Sequence, residues 1–206
     1  MKKLLFLLLI ACISNQIVAQ VVINELECDT PSFDEKEFIE LKTDTPNASL
    51  DGYVLVLFNG SFDESYFALD LDGATSDENG LLLIGSSFMM PFPQLLVPFN
   101  LIQNGADAIA IYEADASDFP EGTPPTTTNL IDALVYDTND ADDAGLLAAL
   151  GETVQINEGV SNALTSIQLL DNGTYVAAVA TPRQLNEGGG VVFNPCLLYT
   201  SPSPRD

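Results

Sequence analysis

The chain has no histidine and no tryptophan, and it sets only 6 lysines and arginines against 30 aspartates and glutamates. Without histidine, Ser-His-Asp and Cys-His catalysis, a histidine general base and His-ligated zinc or haem are all excluded. Cysteine is scarce as well, with 3 residues in 206. The shortage of cations leaves a formal charge of -24. A surface of that sign repels phosphate backbones and disfavours direct nucleic-acid binding. What the chain does have is apolar content, 47% of its residues. That is too much for a disordered acidic tail and implies one packed core inside an anionic surface.

The two ends differ from the middle. MKKLLFLLLIACISNQIVAQ reads as an export signal, with Lys2 and Lys3 as its positive region and Leu4 to Ala11 as its apolar run. That run is far below the roughly 18–20 residues that span a bilayer, so no transmembrane segment is expected once the signal is removed. Two readings stay open: residues 1–19 form a signal peptide cleaved after Ala19, or Leu9-Ile10-Ala11-Cys12 is a lipoprotein box with a lipid anchor on Cys12. Residues 196–206, CLLYTSPSPRD, break from the preceding composition and resemble read-through of a sequencing adapter. Gly188-Gly189-Gly190 opens residues 188–195, which read as the start of a linker to a missing region. Between Gln20 and Pro195 only Lys36, Lys42 and Arg183 face 29 acids, a net of -26 over 176 residues. Cys28, the one cysteine left there, is expected to be a buried thiol or to pair with a lost downstream cysteine.

Nine short runs of alternating, β-branched or aromatic residues lie between turn signals such as Asn59-Gly60, Asp72-Gly73 and Asn79-Gly80. This spacing predicts an all-β antiparallel sandwich. One helix is expected at 142–150, capped by Asp142 or Asp143 and closed by Gly151. The Pro-rich segments Ser86–Pro98 and Asp115–Asn129 are expected to cross sandwich ends as loops. Within the first, Met89, Met90, Phe92, Leu95 and Leu96 form either an exposed partner patch or a loop packed on the core.

In order, VVINELECD, EKEFIELKT, LDGYVLVLFNG, QNGADAIAIYEAD, NLIDALVYDTNDADDAG and SIQLLDNGTYVAAVATPRQLNEG resemble the lamin tail domain of bacterial exported proteins. The resemblance covers about residues 21–187 and includes Asn24-Glu25, Glu37 to Leu41, Thr181-Pro182 and Asn186. Lys42-Thr43 departs from it, since an Asn commonly follows the second strand. The resemblance implies an immunoglobulin-like β-sandwich over residues 20–187 that is not itself an enzyme and often accompanies secreted nucleases, phosphatases or adhesive regions.

Glu25, Glu37 and Glu40 are the first acids to weigh. On an alternating strand, residues 37 and 40 point to opposite faces and cannot flank one glycosidic bond without a bulge. The open readings are structural hydrogen-bond acceptors at the sandwich edge or a cation site. The candidate metal residues are Asp137, Asn139, Asp140, Asp142 and Asp143, five oxygen-bearing side chains in seven positions. Calcium takes six to eight oxygens on flexible turns, but neither register completes an EF-hand loop. Calcium or a merely solvated acidic loop are both open, and no other cofactor is implied. The function expected is a non-catalytic, exported module, secreted or at the outer cell surface, that docks an unknown protein or surface ligand for a larger, truncated protein. The alternative is an accessory domain of a secreted nuclease or phosphatase whose catalytic domain is missing.

Overall fold

The computed structural model describes residues 21–31, 33–159 and 165–186. The signal peptide, the linker and the adapter-like tail lie outside the described residues. Among the described residues the chain is an all-β sandwich with one short helix. One sheet is built from β1 (Val21–Glu27), β2 (Phe38–Thr43), β5 (Leu81–Gly85), β6 (Leu95–Leu96), β10 (Thr165–Leu169) and β11 (Tyr175–Val179), in spatial order β11-β10-β1-β2-β5-β6. The other holds β3 (Tyr53–Asn59), β4 (Glu64–Asp70), β7 (Asp107–Glu113), β8 (Leu130–Asp137) and β9 (Ile156–Asn157), ordered β4-β3-β7-β8-β9.

Alternation explains the layering. Leu55, Leu57, Ile109, Ile111, Leu134 and Tyr136 turn inward to meet Ile23, Leu26, Ile39, Leu41, Leu82 and Ile84 of the facing sheet. Their neighbours Val54, Val56, Phe58, Ala108, Ala110 and Val135 point the other way and form a second cluster under Leu146 and Leu150 of α1 (Ala144–Leu150). Each fully buried Leu, Ile or Phe contributes about 1.5–3 kcal/mol. The sheet with both faces covered therefore reads as continuous apolar runs rather than strict alternation.

The expected helix starts at Ala144, with Asp143 accepting from the amides of Gly145 and Leu146 at its N-cap. Gly151 closes it at φ 76°, a left-handed position that glycine adopts without strain. The sandwich is not purely antiparallel, as the sequence suggested. β5 pairs with β6 and β8 with β9 in parallel, each over two residues. Both parallel pairs add an edge strand after a long loop that brings the chain back in the same direction. Part of the Ser86–Pro98 loop thereby joins a sheet, at its rim, between Pro93 and Pro98, where missing amides cost nothing.

One irregularity organises the first sheet. β1 and β2 pair Ile23 with Leu41 and then Glu25 with Glu40, leaving Asn24 as an extra residue. The resulting β-bulge puts both Ile23 and Leu26 into the core, three positions apart. It also leaves the Asn24 carbonyl to be claimed from outside the ladder.

Candidate functional site

The bulge is claimed by the end of the described chain. The Asn186 amide donates to the carbonyls of Asn24 (2.9 Å) and Leu169 (2.8 Å). Glu25, on a central strand rather than at an edge, receives the Ser166 hydroxyl (2.6 Å), the Thr181 amide (2.6 Å) and the Thr181 hydroxyl (2.8 Å). Glu40 accepts from Asn24 (2.9 Å) and from the Arg183 amide (2.5 Å). Burial pushes Glu25 upward and Glu40 up to about 8, while these donors pull both back. Arg183 completes the latch through an ion pair with Asp77 at 3.3 Å. These carboxylates are occupied as acceptors, and residues 181–186 are held down by them.

The loop singled out for calcium is organised in a similar way. Asp137 is buried and accepts from the amides of Asn139 (2.7 Å) and Asp140 (3.2 Å) and from Gln155 Nε2 (2.8 Å). Asp143 caps α1. Asn139 accepts from Asn157 (3.2 Å), and Asp140 and Asp142 are exposed. The fold thus brings Asp137 and Asp143 together through Gln155, whose Oε1 accepts the Asp143 amide. The shorter acidic turns follow suit: Asp77 accepts from Asn79 and Leu81, and Asp72 from Gly52. Asn59 and Asn172 likewise bond the amides two residues on, as turn residues do.

A second group of acids, at the end of β1, is different. Glu27 is 1% exposed, and neither of its carboxylate oxygens has a hydrogen-bond partner. Around it stand Glu158, Glu37, Asp34 and Asp29, each raising its pKa, and with burial as the largest cause Glu27 is pushed up to about 10. Glu37 accepts the amides of Leu101 (3.0 Å) and Ile102 (3.2 Å) on Oε2, but its buried Oε1 is unpartnered. Burial raises it to about 8. Glu158 accepts from the Cys28 amide (3.1 Å) and thiol (2.7 Å) on Oε2, its Oε1 is unpartnered, and burial lifts it to about 7. Cys28 is a free buried thiol raised well above its ordinary value, chiefly by burial, so it is a poor nucleophile. As the side chains stand, no three His, Cys, Asp or Glu among the described residues close on a metal position. Sequence reading selected Glu37 here and passed over Glu27 and Glu158. The available signal was five acids, Glu27, Asp29, Asp34, Glu35 and Glu37, within eleven residues.

Two other features bear on function. A cleft of about 520 Å³ opens between β8 and β11, lined by Asp132, Glu152, Val154, Ile156, Leu169 and Tyr175. Its most buried acid, Asp132, already accepts the Ile23 amide at 2.7 Å. The second feature is apolar. Phe33, Phe88, Met90, Phe92, Leu96 and Phe99 are 52–77% exposed, whereas Met89 among them is buried. Phe88 and Phe99 meet edge to face at 5.9 Å, and the Asn100 amide bonds the Asp34 carbonyl, tying the two loops together. The Met-Met-Pro-Phe segment is therefore split between core and surface. Residues 79–106, which carry most of this patch, hold no charged side chain.

No helix among the described residues is long and apolar enough to cross a membrane. Comparison of the chain with protein-family models, curated proteins and solved structures found no match.

Proposed function

We propose that this chain is a lamin-tail-like, immunoglobulin-type sandwich from an exported protein, and that it is a non-catalytic docking module. The supporting observation is the exposed aromatic patch on an uncharged stretch of an otherwise anionic chain. Soluble monomers seldom leave large apolar groups contiguous on the surface, and aromatic side chains dominate binding hot spots. A second copy, itself at -24, is repelled on approach. The partner that fits is a protein surface apolar at its centre and basic around it, steered by the surrounding acids. The buried thiol, the lack of histidine and the hydrogen-bonded carboxylates support a non-catalytic role.

The test uses synthetic peptides with a Leu/Phe/Trp centre flanked by Lys/Arg, against the same centres flanked by Glu. Salt-sensitive binding of the basic set is expected, with hydrogen-exchange protection at residues 86–100. Phe88→Ser with Phe99→Ser should abolish it and leave melting nearly unchanged. Equal binding of the acidic set, protection elsewhere, or a homodimer dispersed by the double variant overturns the proposal.

A further inference from the structure

The acids at the end of β1 are arranged against electrostatic sense. Three carboxylates that are 1%, 4% and 6% exposed, Glu27, Glu37 and Glu158, retain four oxygens with no hydrogen-bond partner. Asp34, 8% exposed, and Asp29 add further negative charge beside them. A buried charge without a partner is strongly unfavourable, and several of one sign are worse. The latch acids Glu25 and Glu40 show that this fold supplies donors to buried carboxylates where it needs them. Here it supplies none to Glu27.

The geometry points to a calcium site formed by Glu27, Glu37 and Glu158, with Asp34 and Asp29 beside them. Calcium takes six to eight oxygens at loose geometry, including water and backbone carbonyls, so it suits neighbouring carboxylates that have not closed on one point. Glutamate side chains have three torsions with which to swing inward, and Glu27 gives up no hydrogen bond in doing so. The site joins the end of β1, the loop before β2 and the segment after β9. A bound ion would therefore tie together parts of the chain 131 positions apart, from Glu27 to Glu158.

The experiment titrates calcium into chelator-stripped protein. It is followed by melting temperature against sodium chloride of equal ionic strength, and by tyrosine-sensitised terbium emission with calcium competition. A rise in melting temperature beyond the salt control is expected at micromolar to millimolar calcium, with one competitive terbium site. Glu27→Gln, which loses no hydrogen bond, and separately Glu158→Gln should weaken binding about tenfold or more. Asp140→Ala with Asp142→Ala should leave it intact. Calcium acting no better than matched salt overturns the site. So does binding that survives Glu27→Gln, or that disappears in the Asp140/Asp142 variant and so belongs to the 137–143 loop.

Discussion

Glu25 and Glu27 lie two residues apart on one strand, and Glu40 and Glu37 lie within or beside the next. All four are buried, yet the pairs have opposite fates. Glu25 and Glu40 are met by hydroxyls and amides from Ser166, Thr181 and Arg183. Glu27 has no partner, and Glu37 keeps a bare oxygen among other acids. Burial alone therefore does not decide what a carboxylate is for. What decides it is whether another part of the chain arrives carrying donors or carrying more negative charge.

Truncating Glu25 should have the largest effect. Glu25→Ala strands the Thr181 amide and two hydroxyls and releases the latch. A loss of about 3 kcal/mol or more in urea unfolding is expected. If Glu27→Gln in calcium-free buffer costs as much, the contrast between the two pairs fails.

The next effect is on pH dependence. Glu40 is raised to about 8, chiefly by burial, with Glu25 and Asp77 opposing its charge and Asn24 and the Arg183 amide favouring it. Asp132 is raised to about 6, again by burial, with Glu152 opposing its charge and the Ile23 amide favouring it. An acid whose folded pKa is raised binds more protons folded than unfolded, so stability falls as pH rises. That stability is fully present below the ordinary value of 4.5 for Glu40 and is lost as pH climbs through about 8. The protein should melt higher at pH 5 than at pH 8, and Glu40→Gln should make the slope shallower. An unchanged slope would mean that other groups carry the effect.

A smaller loss is expected at the bulge. Asn186→Ala removes both donors from the Asn24 and Leu169 carbonyls and should cost about 1–2 kcal/mol. The smallest effect is that of Glu27→Gln without calcium. Since no hydrogen bond is lost and a carboxyl that burial keeps protonated is replaced by a neutral amide of the same size, stability should stay within about 0.5 kcal/mol of wild type. A marked loss would show that Glu27 has a structural partner.

Much of the fold was legible because it is written in local chemistry. The period-two runs and Gly/Asn/Asp turns marked the nine longer strands, and Asp143 and Gly151 marked the ends of α1. The two-residue strands β6 and β9 were not legible, because two residues show no periodicity and exist as strands only by lying on an edge. Nor was the bulge at Asn24. Ile23-Asn24-Glu25-Leu26 breaks alternation, but only the facing strand shows which residue is extra. The acid-rich loop 137–143 was conspicuous in sequence through its density of charge. In the fold, its two inner aspartates are taken up by backbone amides and Gln155.

By itself the sequence determined an all-β class, an anionic surface, the short α-helix found among the described residues and chemistry without histidine. Each of these follows from composition or from spacing within about ten residues. Only the tertiary structure decided which buried acids have partners, because the donors and the opposing charges come from far along the chain. Thr181 reaches back 156 positions to Glu25, and Glu158 lies 130 positions from the Cys28 it bonds. A carboxylate's environment is set by whatever packs over it, and no local pattern encodes contacts at that separation.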